Sequence, residues 1–259
     1  MKHTRGRARI GVLVPFTNAN LEPDFTMMCP PGISIHTARM GGYEEDAVPD
    51  EAQMQGLGAA DLDEPLHQLS GIKPDVVVYG CTSATLTHGP EFDHALAEKI
   101  TVTSGAKTVT AAGSLVRALA ALGTTQIGFA SPYVPASNDM AITFLAKMGS
   151  KTVARAEVDA ALGNHEQGAL SPDEVFALGL RADHPKAEAI VLSCTEMRSV
   201  ETLERLEEAL GKPVVSSNQA MMFEVLSALG INDPVRGFGR LLDREKRTQT
   251  AQGTEARYA

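Results

Sequence analysis

Tryptophan is absent from this 259-residue chain, and aromatic residues make up only 5% of it. So few rings leave no stacking platform for nucleobases. Positive charge is also in short supply. The chain has 23 Lys and Arg against 32 Asp and Glu, a net charge of −9, and no basic run beyond the first nine residues. Nucleic acid is therefore not an expected partner. Long apolar runs are missing as well. The first, Ile10 to Phe16, is too short for a signal-peptide core or a membrane span. No membrane partner is expected, and the chain reads as cytoplasmic. Cysteine is scarce: Cys29, Cys81 and Cys194 make no disulfide framework and fit no zinc spacing. His36, His67, His94, His165 and His184 show no H-E-x-x-H pattern, and no Gly-x-Gly-x-x-Gly follows a strand. Neither metal nor nucleotide cofactor is expected. In a reducing compartment the thiols stay free for chemistry.

What is present is an ordinary globular composition, 43% hydrophobic and 21% charged, in a length that can bury a large core. Short apolar runs read as strands: Ile10–Val14, Ser34–Ala38, Asp75–Tyr79, Ile127–Ala130, Lys151–Ala154, Ala189–Leu192 and Pro213–Ser216. Several are β-branched without alternation, which marks strands covered on both faces of a parallel sheet. Helical patterns lie between them over Ala112–Leu122, Asn138–Met148, Pro172–Leu180, Ser199–Leu210 and Gln219–Leu229. Strand-helix alternation predicts an α/β fold.

An internal repeat sharpens that reading. Ile10-Gly-Val-Leu-Val-Pro-Phe16 aligns with Ile127-Gly-Phe-Ala-Ser-Pro-Tyr133. Asp75 to Thr82 aligns with Glu188 to Thr195, and Lys107 to Ala111 with Lys212 to Ser216. Three matches in one order predict two pseudo-symmetric lobes, each a parallel four-stranded sheet flanked by helices, with the active site in the cleft between them. The expected division is 1–111 for the first lobe, 112–217 for the second, 218–242 returning to the first, and a flexible tail at 243–259. Glu44-Glu-Asp46 reads as a solvated loop, and Gly41-Gly42 as a turn.

Functional residues in open α/β sheets gather at the carboxyl ends of strands. Cys81 and Cys194 both stand there, each followed by Thr. A free cysteine is most often a small buried hydrophobe, but packing gives no reason for Cys-Thr at both strand ends. A paired set of thiols suits covalent addition or proton transfer. Thr82, Ser83 and Thr195 offer hydroxyls and amides for a carboxylate. Cys29 has no counterpart and reads as structural.

The motifs Val14-Pro-Phe-Thr-Asn18 with Glu22-Pro-Asp24, Gly80-Cys-Thr-Ser83, Ser131-Pro-Tyr133, Leu162-Gly-Asn164, Ser193-Cys-Thr195, Val214-Val-Ser-Ser217 and Gly237-Phe-Gly-Arg240 occur in order. Through them the chain resembles the maleate cis-trans isomerases and arylmalonate decarboxylases of the aspartate/glutamate racemase superfamily. The resemblance implies a cofactor-independent enzyme, a homodimer, with a small carboxylic acid as substrate. It implies that Cys81 and Cys194 are catalytic, and that Asn18, Tyr133 and Asn164 join Thr82, Ser83 and Thr195 in holding substrate. Decarboxylases of the family keep only the second cysteine, whereas racemases and maleate isomerases look like two-cysteine enzymes. With Asn18, Tyr133 and Asn164 matching the isomerases, the resemblance implies isomerisation of a maleate-like dicarboxylate through a covalent adduct. Racemisation of an aspartate-like acid, arylmalonate-type decarboxylation and non-catalytic binding of a carboxylate remain alternatives.

Overall fold

The computed structural model describes residues 6–41, 56 and 61–243. The first sheet is built from β1 (Ala8–Pro15), β2 (Ile33–Met40), β3 (Val76–Tyr79) and β4 (Lys107–Thr110). Its helices are α1 (Leu21–Met28), α2 (Asp63–Ser70), α3 (Thr82–His88) and α4 (Pro90–Ser104). α5 (Ala111–Ala121) leads into the second sheet, made of β5 (Gln126–Ala130), β6 (Lys151–Ala156), β7 (Ala189–Leu192) and β8 (Val214–Ser216). Around it lie α6 (Pro135–Lys147), α7 (Asn164–Ala169), α8 (Pro172–Arg181) and α9 (Leu203–Leu210). The chain continues through α10 (Ser217–Ala228) and α11 (Gly239–Leu242).

The sheet orders are β2-β1-β3-β4 and β6-β5-β7-β8, and every pairing is parallel. The three repeated segments thus occupy equivalent strands: β1 with β5, β3 with β7, β4 with β8. The central strands β3 and β7 are buried at every residue, which is why their sequences do not alternate. One apolar cluster links the halves, running from Ile10, Val12 and Val78 through Met221 and Met222 to Ile190 and Leu192. α10 lies in that seam, against α5, α1 and β4.

Helix starts follow local chemistry. Thr110 accepts the Gly113 N–H at the head of α5. Ser171 with Glu174, and Ser216 with Gln219, close reciprocal boxes at α8 and α10. Some boundaries differ from the periodicity. α6 begins at Pro135, where the proline sits in the first turn and needs no partner for its missing N–H. The expected helix over Ser199–Leu210 divides into a 3-10 turn at Val200–Thr202 followed by α9. α1, α2 and α4 are short or weakly amphipathic and carry little periodic signal. Gly42, the Glu44–Asp46 run and the tail beyond Asp243 lie outside the described residues. Among the described residues, no helix is long and apolar enough to cross a membrane.

Candidate active site

The carboxyl ends of β1, β3, β5 and β7 converge on a small pocket between the two sheets. Its walls carry Asn18, Cys81, Ser83, Tyr133, Asn164, Cys194 and Thr195, seven of the eight residues singled out in the sequence. Thr82 does not line it. As the first residue of α3 it is 1% exposed, with its hydroxyl buried and unpartnered among the described residues. Helix geometry turns its side chain into the protein and leaves Ser83 facing the pocket. Cys29 stands apart, half-buried, with its thiol near its neighbour's carbonyl, Pro30 O, at 3.7 Å.

The first thiol is positioned by a tight strand end. Gly80 hands β3 over to Cys81, and no larger residue fits there. A Cβ would lie 2.3 Å from Leu21 Cδ2 and 3.0 Å from Leu13 O. Cys81 then caps α3 in extended conformation. Its sulfur lies 3.5 Å from Ser83 Oγ, with the Ser83 and Ala84 amides directed at it. Burial pushes the Cys81 thiol up, and those three donors pull it back toward the thiolate.

The second thiol has different company. Cys194 Sγ accepts the Glu196 N–H at 3.4 Å, and its own S–H faces Gln167 Oε1 at 3.9 Å. Burial pushes it up to about 12, against hydrogen bonds from Tyr133 and the Glu196 amide, and the Glu196 carboxylate adds to the rise. Cys194 therefore keeps its proton. The Tyr133 hydroxyl lies between the two sites, in contact with Cys194 and Ser83. Burial and then the neighbouring thiols hold it well above the usual phenol range. Its loop is fixed by Tyr133 N–H on Ser131 Oγ at 3.1 Å and by Asn138 Nδ2 on Tyr133 O at 3.2 Å.

Asn18 and Thr195 are largely spent on architecture. Asn18 Oδ1 accepts the N–H groups of Asn20 and Leu21 at 3.1 and 2.9 Å, starting α1. Asn18 Nδ2 donates to Thr195 Oγ1 at 3.1 Å, and Thr195 Oγ1 donates to Gly80 O at 3.1 Å. Thr195 O accepts from Asn218 Nδ2 at 2.9 Å, and the same nitrogen reaches the buried Asp24 carboxyl at 2.7 Å. This network ties the two halves together beneath the pocket. Asn164 is the opposite case: its Nδ2 is buried with no partner among the described residues, a donor held in reserve.

Thr17, Gln167 and Glu196 also line the pocket and were missed. The signals were small. Thr17 lies inside a quoted motif, and Glu196 directly follows Cys-Thr. Gln167 stands three residues after Asn164, on the same face of α7. No Lys or Arg is among the described residues lining the pocket. No group of three or more His, Cys, Asp or Glu among the described residues is placed to hold a metal ion.

A family model described as arylmalonate decarboxylase matches residues 10–242 of the chain. Maleate isomerase of Nocardia farcinica is 28% identical over 250 residues, spanning 92% of this chain and 96% of that protein. Arylmalonate decarboxylase of Bordetella bronchiseptica is 26% identical over 242 residues, 89% of this chain and 92% of that one. Among solved structures, a cysteine-to-serine mutant of the Nocardia farcinica maleate cis-trans isomerase, with a covalently bound succinylcysteine intermediate, has the same fold. Its TM-score is 0.83 at 24% identity, over 92% of this chain and 98% of that one.

Proposed function

Because this chain belongs to the arylmalonate decarboxylase family, we propose that it is a two-cysteine cis-trans isomerase that converts maleate, or a closely similar cis-dicarboxylate, to its trans isomer. One observation carries the reading: two buried thiols on equivalent strand ends face one pocket. The second is pushed up to about 12 by burial with the Glu196 carboxylate adding to the rise, and the first is also raised by burial but tempered by Ser83 and two amides. A decarboxylase needs only one proton-delivering thiol, so Cys81 would have no task in it. The succinylcysteine of the solved relative supports covalent chemistry on a four-carbon diacid in this fold.

The reaction follows from those surroundings. Cys81 thiolate adds to one alkene carbon, forming a C–S bond, and the π electrons move onto the adjacent carboxylate as an enediolate. Tyr133, Asn164, Ser83 and nearby amides are the donors for that charge, already oriented before it develops. Cys194 S–H transfers its proton to the carbanionic carbon, giving a succinyl thioether whose central bond is single and rotates. Cys194 thiolate then removes the proton, the C–S bond breaks, and the trans diacid leaves with Cys81 restored.

The test is proton NMR of the protein with maleate in buffered D2O, alongside Cys81→Ala and Cys194→Ala. Fumarate formed by the wild type and by neither variant supports the proposal; untouched maleate overturns it. A second reading, racemisation of an aspartate-like acid, is favoured by one feature, the acidic Glu196 on the pocket wall. Deuterium at the α-carbon of aspartate, dependent on both cysteines, would establish it instead.

A further inference from the structure

Glu196 is built into the pocket wall. It follows Thr195 on the loop after β7 and is 9% exposed. The Ala19 N–H, from the opposite half, donates to both carboxylate oxygens at 3.1 Å each. Asn20 Nδ2 donates to the Glu196 carbonyl at 2.6 Å and to Gly168 O at 3.0 Å, fixing the loop against α7. Gly168 leaves the carboxyl its room: a Cβ there would come within 2.3 Å of Glu196 Oε1. One amide thus serves two oxygens, and the carboxyl can keep that bond and still turn one oxygen outward.

Its charged surroundings are mixed. β2 brings Arg39, which is itself paired with Glu22 of α1. α1 brings Asp24, and the loop brings Cys194 and Arg198, the latter paired with Glu201. α7 carries His165 and Glu166, both exposed. Burial is the largest influence and Asp24 adds to it, while the Ala19 amide and Arg39 oppose. The outcome is a carboxyl raised to about 7.

We propose that Glu196 decides which acid the pocket accepts: as the neutral carboxylic acid it keeps one oxygen on Ala19 N–H and donates its proton to a substrate carboxylate. This deepens the isomerase reading and rests on it. An ionised Glu196 beside a dianion in a buried site is strongly repulsive, whereas an O–H···O⁻ bond is among the strong hydrogen bonds. Dicarboxylate binding is then linked to uptake of one proton. A ligand that presents an ammonium group to Glu196 shows the opposite linkage.

The experiment is calorimetric titration of Cys81→Ala with fumarate, whose carboxyls are both ionised from about pH 6 to about pH 8.5. Expected is a dissociation constant that rises up to about tenfold per pH unit at the alkaline end. In Cys81→Ala with Glu196→Gln, a neutral residue that still donates, fumarate should bind with little pH dependence. Overturning results are binding that ignores pH with Glu196 intact, or no fumarate binding at any pH. A slope that survives Glu196→Gln would place the proton on another group, such as Asp24, and also overturn the proposal. If the double variant fails to fold, aspartate decides: tightening toward alkaline pH while fumarate weakens supports the proposal, and weakening in parallel with fumarate overturns it. Maleate turnover is scored separately, so a flat profile in a working isomerase rejects the role of Glu196 alone. A sloped profile without turnover rejects the isomerase and leaves a proton-linked dicarboxylate site.

Discussion

The two halves reach their thiols by the same route and then part company. β3 ends in Gly80-Cys81-Thr82 and β7 in Ser193-Cys194-Thr195, at matching places in matching sheets. After Cys81 the chain enters α3 at once, so successive amides and Ser83 close on the sulfur. After Cys194 it runs through an irregular loop pinned by Asn18, Gly80 and Asn218. There the sulfur meets the Gln167 side-chain oxygen, the Tyr133 hydroxyl and the Glu196 amide, with the Glu196 carboxylate acting on it electrostatically. A duplicated scaffold supplies placement. The few residues that follow the strand supply chemistry, and in the proposed reaction they suit one thiol to attack and its partner to proton transfer.

That asymmetry can be broken outright. Cys194→Ser should lower maleate turnover by at least about 10³-fold, since a proton-transfer partner acts as a unit with its nucleophile. Intact mass should then show an adduct of one maleic acid on Cys81, located by peptide mapping. An adduct formed on Cys194 in Cys81→Ser would invert the assignment. A smaller effect is expected from Tyr133→Phe, which removes the hydroxyl shared by both sites and restores the residue that the first half has at Phe16. Steady-state kinetics should show kcat reduced by about 10²-fold, the scale of a lost oxyanion donor.

Alkylation compares the thiols without any substrate. Near neutral pH, iodoacetamide should modify Cys81 at least about tenfold faster than Cys194, because rate follows thiolate fraction. Equal rates would remove the basis for separate roles. The smallest expected effects concern stability. Asp24, like Glu196, has a carboxyl raised to about 7, chiefly by burial. A raised carboxyl stabilises the fold while protonated, and that contribution is lost as pH climbs from its ordinary range through about 7. Urea midpoints should therefore fall across this window, and Asp24→Asn should flatten the slope. Thr195→Val, which unpairs Asn18 Nδ2 and Gly80 O, should cost about 1–3 kcal/mol by the same assay.

Much of this arrangement was legible in the residues. The β-branched runs gave the strands because central parallel strands are buried on both faces, and the repeat gave their equivalence. The shared Cys-Thr gave the thiol positions. What could not be read was the division of labour among neighbours. Asn18, Thr82, Asn164 and Thr195 are similar polar residues at strand and helix ends, yet Asn18 bonds to the start of a helix, Thr195 bonds across the seam, and the Thr82 hydroxyl and Asn164 amide are buried without a partner among the described residues. Those fates depend on partners up to 177 residues away, such as Thr195 for Asn18. Gln167 and Glu196 escaped for the same reason: neither sits in a spacing with its own signature, and each acquires meaning from the sulfur beside it.

The hydrogen bonds that meet at Thr195 also constrain how such a protein can change over generations. Asn18, Gly80 and Asn218 come from three separate stretches of chain, and all three converge on one residue of the second half. A half transplanted from a relative would arrive with its strands intact but its side of this junction mismatched. Because Thr195 follows Cys194 and Gly80 precedes Cys81, that junction is part of the loops that surround both thiols, and its members can change only together.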